Sequence, residues 1–279
     1  MGWNFMFTSS VNFSRWHPEL SIQYFARMNM KYFLGVLSII ICVSTLTAQT
    51  PAERKVKIEQ KEAAQPSEEA KARKVKSMER LKKEGVPVIE HLPVIADSKE
   101  ATTRTKEVIA KRAIAVTIAA VKGEGLDQAT IDSLVIKFGA HEFFSPEEAA
   151  FIKNTKPTQK ERIQFSWRYE CLWVLLWSLG YVDELKKPEG ICDVAKAVGF
   201  LRDRDLAKFI NDAKLRPLEL ILDEADLIYR YHWAVVDARL KSKESPAKLE
   251  GGVVKERHYA LNWLTGYMDQ KWDDISTDT

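Results

Sequence analysis

The segment FSWRYECLWVLLWSLGYV, residues 165–182, limits what this chain can fold into more than any other. It sets Trp167, Trp173 and Trp177 among Leu172, Leu175, Leu176 and Leu179, with Phe165, Tyr169 and Tyr181 beside them. Arg168 and Glu170 lie inside the run, which makes it too polar for a bilayer interior. A helix that is apolar on most of its surface belongs at the centre of a globular core, where other elements cover it on every side. At least two of Trp173, Leu176 and Trp177 are therefore expected to be fully buried.

The rest of the chain offers helices to do the covering. GVPVIEHLPVI (85–95) is an extended entry segment, because its prolines bias the residues before them away from helix. Residues 102–122 place Val108, Ala113, Val116 and Ala120 at helical spacing, and Gly123 and Gly125 stop that helix. Residues 127–138 form a short amphipathic helix ending at Gly139. Ser145-Pro146-Glu147-Glu148 is a capping box with Pro at the first helical position, and Thr158-Gln159-Lys160-Glu161 is a second box. The most apolar helix, 165–182, follows that second box. Asp193 caps a helix through about Leu201, another lies at 203–213, a long one at 218–241 and the last at 253–268. No alternating strand pattern, repeat or hairpin signal occurs. The expected fold is all-α, a single compact multi-helix domain around the Trp/Leu-rich central helix, preceded by a signal segment and a charged arm.

Four stretches divide the chain. Tyr32 to Ala48, YFLGVLSIIICVSTLTA, carries no charge; Lys31 precedes it and small residues close it. A basic start, an apolar stretch and a small-residue exit make residues 30–49 a signal peptide, with cleavage near Ala48 or Gln49. Leu46 sits awkwardly at the third position before that cut. Cys42 invites a lipoprotein reading, but Ile39, Ile40 and Ile41 stand where such signals place a small residue. Residues 1–29 read as a start placed too early or a short extension. If the extension is real, residues 32–48 act instead as an N-terminal anchor in the inner membrane, at the short limit for crossing a bilayer. Residues 50–84 are a charged helical or flexible arm: within 51–84, eleven Lys or Arg against seven Glu leave a local excess of +4, enough for weak contact with anionic lipid but better explained as a solvated face. Residues 85–279 are the helical domain.

Composition excludes several classes. Net charge is +3, from 42 basic and 39 acidic residues, which does not fit a dedicated nucleic-acid binder. A hydrophobic content of 46% with 29% charged residues is globular. Only Cys171 and Cys192 follow the signal segment; an oxidising compartment permits a disulfide between them, while the Trp- and Leu-rich surroundings of Cys171 favour a buried apolar thiol.

No phosphate loop, dinucleotide fingerprint, nucleophile elbow or paired-Cys zinc pattern is present, so the residues assign no cofactor and no metal. His141-Glu142 opens like a zinc-protease motif, but Ser145 stands where the second His must be. The one polar constellation lies on the last two long helices. Asp226, Arg230, Trp233 and Asp237 fall four, three and four residues apart and share a face; His232 and Arg239 belong to another. The final helix adds Glu256, Arg257 and His258, and Arg168 and Glu170 come from the core helix. Polar groups in such apolar helices are either buried and paired or line a cleft. His232 or His258 would serve as a general base near neutral pH, although no Ser or Cys is marked as a nucleophile beside them.

Three segments, FSWRYECLWVLLWSLG (165–180), ILDEADLIYRYHWAVVDARL (221–240) and GVVKERHYALNWLTGYMDQKWDDISTDT (252–279), together with EHLPVI (90–95), resemble the bacterial domain-of-unknown-function family numbered 4272 over roughly residues 73–279. The resemblance implies one compact domain and brings no activity with it.

Two functions are weighed. The first is a non-catalytic interaction or scaffold protein of the cell envelope, exported to the periplasm or beyond, with a protein partner and no nucleic acid. The second is a ligand-binding or hydrolase-like protein using an Arg/His/Asp cleft between the last two long helices. A pocket lined by His232, His258 and Asp226 favours the second; the same side chains paired among themselves favour the first. Trp272 in the acidic C-terminal stretch is expected to dock back on the domain.

Overall fold

Short polar side chains fix where the helices begin. The computed structural model describes residues 65–279; the early start, the charge-free run and the first part of the charged arm lie outside the described residues. In order, the helices are α1 (Glu68–Lys83), α2 (Lys106–Glu124), α3 (Gln128–Phe138), α4 (Pro146–Lys153) and α5 (Gln159–Ser166). Then follow α6 (Tyr169–Ser178), α7 (Val194–Arg202), α8 (Leu206–Asp212), α9 (Leu218–Leu240) and α10 (Gly251–Leu264). Ser67, Thr105, Asp127, Asp193 and Asp205 each accept from the backbone N–H three residues on, satisfying a donor that the first helical turn leaves free. Both expected capping boxes form, at Ser145/Glu148 and Thr158/Glu161. No strand occurs among the described residues.

The helices pack as a series. α2 lies against α5 and α6, α6 against α10, α10 against α9, and α9 against α1. In α6, Cys171, Leu172, Val174, Leu175 and Leu176 are wholly buried; Trp177 is buried and Trp173 half-buried, as the Trp/Leu pattern requires. α2 shares the centre. Its Ala- and Ile-rich run from Ile109 to Gly123 is buried except at Lys111, and Val108, expected on the inner face, is exposed at 44%.

The apolar run is not one helix. It breaks at Trp167 and Arg168, where Arg168 N–H bonds to Phe165 C=O at 3.1 Å and Glu170 N–H to Trp167 C=O at 3.1 Å, three residues back instead of four. That tight turn redirects the chain, so that α5 crosses α2 while α6 runs on to α10. The crossing is close because Gly123 lacks a side chain: a Cβ there would stand 2.7 Å from Arg162 C=O and 2.8 Å from Ser166 N. The last long helix also ends sooner than its apolar spacing implies, at Leu264, because Gly266 turns left-handed with φ 66°.

The charged arm contains a packed helix. α1 buries Ala70, Arg73, Ser77 and Leu81 toward the domain, while Lys71, Lys76, Lys82 and Lys83 stay in water. The 85–95 segment is non-helical, as its prolines dictate. Trp272 docks back as expected: it is buried, edge-on to Tyr259 and Trp263, with the Arg112 guanidinium 5.0 Å from its ring centre.

Candidate functional site

The polar residues singled out on α6, α9 and α10 are brought together only in part, and they resolve into separate pairs. Asp226 and Arg230, one turn apart on α9, form a two-pronged ion pair, with Nη2 to Oδ1 at 2.7 Å and Nε to Oδ2 at 2.8 Å. Both are buried, and Arg230 also donates to Pro93 C=O at 3.3 Å, which ties the entry segment to α9. Glu170 on α6 takes Arg257 Nε from α10 at 3.0 Å and the Cys192 N–H at 2.5 Å. Arg257 in turn donates to Lys186 C=O at 2.8 Å. This buried junction fastens α6, α10 and the loop before α7.

A second bridge joins the same helices. Arg168, in the turn before α6, pairs with Glu256 of α10 at 3.0 Å and lies 4.1 Å from the Tyr259 ring centre. The Cys171 thiol, at 3.2 Å, is directed at Glu256 Oε2 and C=O. Burial, reinforced by the Glu256 charge, pushes that thiol well above the usual range. Burial does the same to Cys192. Both cysteines are free and buried, so neither has the thiolate character of a nucleophile.

His232 of α9 and His258 of α10 meet through their Nδ1 atoms at 2.9 Å, rings nearly perpendicular. One of the two nitrogens must carry a proton and the other a lone pair. Burial, with Arg239 and Lys255 nearby, pushes His232 down to about 4; burial and the neighbouring His232 push His258 well below its ordinary value. Both stay neutral at pH 7.

Two residues of the expected set fall outside these contacts. Asp237 bonds Lys241 at 2.8 Å on the solvated side of α9, and Arg239 is exposed. The C-terminal end of α9 rises out of the core, so residues that share a face with Asp226 do not share its depth. Among the described residues, no three His, Cys, Asp or Glu side chains are grouped to hold a metal ion. No helix among them is long and apolar enough to cross a membrane.

A cleft does lie between α9 and α10, but other residues line it. Its volume is about 10 Å³, and its walls include Arg80, Lys186, Glu224, Tyr231 and Arg257. Glu224, half-buried with Arg80 at 4.0 Å, is raised by burial to about 7. Nothing in the spacing of α9 marks Glu224, because its environment is made by α1 and by the loop around Lys186. Two buried cations of α2 were likewise not legible. Arg112 pairs with Glu148 at 2.7 Å, and Lys122 donates to Gln128 Oε1 and to Ile152 and Asn154 C=O at 2.6–2.8 Å.

No curated protein and no solved structure matches the chain. A family model does, the one described as Domain of unknown function (DUF4272), over residues 73–275. Those bounds take in all the bridges just described, from Arg80 to His258, and the chain belongs to that family.

Proposed function

We propose that this protein is an exported, non-catalytic interaction or scaffold domain of the cell envelope. One observation carries the reading: the ionisable groups best suited to chemistry are used up in pairs that clamp helices to one another. Asp226 holds Arg230, Glu170 holds Arg257, Glu256 holds Arg168 and His232 holds His258. The α9–α10 cleft, at about 10 Å³, has room for about one water molecule, whereas small-molecule sites run to roughly 300–1,000 Å³. Export rests on the charge-free run at residues 32–48 behind Lys31.

Thermal denaturation of Arg230→Ala and His232→Ala tests the clamp. Both variants are expected to melt well below the parent. Retained stability in either, together with loss of a co-purifying small molecule, overturns the scaffold reading. Intact-mass measurement of protein from its native envelope tests export, with a start near residues 48–50 expected and a start at Met1 or Met30 counting against cleavage. Glu224 is the one group that favours a ligand-binding or hydrolase-like alternative, since a carboxyl raised to about 7 in a cleft has the proton affinity of a general acid or base. That reading requires Glu224→Gln to abolish an activity without lowering the melting temperature.

A further inference from the structure

α1 is attached to the domain unevenly along its length. Its inward residues are Leu81, Ser77, Arg73 and Ala70, from C-terminus to N-terminus. Leu81 is wholly buried, and Val86 just beyond the helix is buried with it. Ser77 and Ala70 offer little apolar surface, and Val75 is 55% exposed. From Ser77 back to Glu68 the helix therefore depends on polar ties. Arg73 reaches Asp223 of α9 at 3.3 Å and Lys76 reaches the same carboxylate at 2.5 Å. Glu69 accepts from Ser98 Oγ at 2.6 Å, and Lys74 donates to Glu90 and Leu92 C=O at 2.5 and 2.8 Å. Asp223 keeps 28% of its side chain in solvent and Lys76 71%, so ions reach the Lys76–Asp223 pair, whereas Arg73 keeps 4% and its pairs are shielded. The family match begins at residue 73, inside this helix.

We propose that α1 is a salt-sensitive strap, hinged at Leu81, that detaches from α9 while the remainder of the domain stays folded. Screening weakens the exposed Lys76–Asp223 pair and leaves the buried Arg73 ties and apolar burial intact, so raising the ionic strength loosens the middle of the strap and spares the hinge. α9 keeps its place without α1, because its other side packs against α10, where Gly251 lies beside Val235, Leu261 shares a cleft wall with Leu227 and Ile228, and His232 meets His258. The strap thus gives the chain preceding residue 68 a joint that opens independently of the core.

Hydrogen–deuterium exchange on the full chain, read by mass spectrometry in low salt and in about 1 M NaCl, tests this. Amides of residues 71–79 are expected to exchange about two- to fivefold faster in high salt, with those of residues 225–235 unchanged. Asp223→Asn is expected to give the high-salt behaviour of α1 in low salt. If that variant fails to fold, Lys76→Gln, on the solvent side of the same pair, is expected to accelerate α1 exchange in the same direction. The proposal fails if α1 exchanges like α9 in both salts, or if the two helices respond together. It also fails if α1 is already fully exchanged in low salt, or if Lys76→Gln changes nothing.

Discussion

Neither histidine of the α9–α10 contact has a carboxylate among the groups acting on it. Arg239, Lys255, Asn262, the Tyr229 ring and the partner imidazole are what His232 and His258 meet, so a second proton on the pair has no counter-charge. Because their folded pKa values lie below the unfolded value of about 6.5, the stability they contribute is complete above that pH. It falls as the unfolded chain takes up protons that the folded one refuses. Between pH 6.5 and about 4, His232 alone accounts for roughly 3 kcal/mol of lost stability. Glu224, raised to about 7, slopes the other way, so the useful quantity is the difference between the parent and His232→Gln in urea midpoints from pH 7.5 to 4.5. A variant as acid-sensitive as the parent would refute the assignment. At the same scale, Arg230→Ala strands the Asp226 carboxylate in the core and should destabilise by about 3–5 kcal/mol. Asp237→Ala, which removes only a solvated pair with Lys241, should change stability by less than about 1 kcal/mol. Equal effects in paired denaturation curves would mean that the two sites do not differ in depth. Spacing put Asp226 and Arg230 on one face, about one helical turn apart, which is the separation their bond uses. It gave Asp237 and Arg239 the same standing because periodicity reports a face and says nothing of how far along the helix the core extends.

Whole helices were readable where a cap or a glycine marks an end. Ser145, Thr158, Asp193 and Gly139 each announce a terminus through a local hydrogen bond or a left-handed turn, and the helices stop or start there. The break at Trp167–Arg168 has no such mark. It follows from what α5 and α6 must separately touch, which no local pattern contains. For α1 the sequence allowed a helix and hid its packing: a lysine-rich helix whose inner face is Ala70, Arg73, Ser77 and Leu81 looks solvated until Asp223 is brought beside it. Two substitutions test the element-level packing. Gly123→Ala forces a methyl group against the α5 backbone, which has no flexible end to yield, and should cost about 1–3 kcal/mol. Trp177→Ala in α6 should cost about 3–5 kcal/mol. A Trp177→Ala protein with an unchanged melting temperature would show that α6 is not central.

Across the molecule, distant parts of the chain are joined at Trp272. Arg112 from α2 stacks over its ring, Arg168 stands 5.8 Å from it, Tyr259 donates to its carbonyl, and Asp273 accepts from Glu147 N–H at the start of α4. Trp272→Ala should therefore destabilise by about 3–5 kcal/mol despite its place in an acidic stretch, as read from chemical denaturation. A variant with native stability would mean that the docked segment is dispensable. The arrangement also orders events during synthesis. Chains emerge from the ribosome N-terminus first, so Arg112 of α2 and Arg168 are made long before the ring they pack against. Until Trp272 arrives, the faces of Tyr259 and Trp263 that it covers have no cover, and the two arginines lack their aromatic partner. The α2 end of the domain therefore reaches its final packing only once the segment carrying Trp272 has been made.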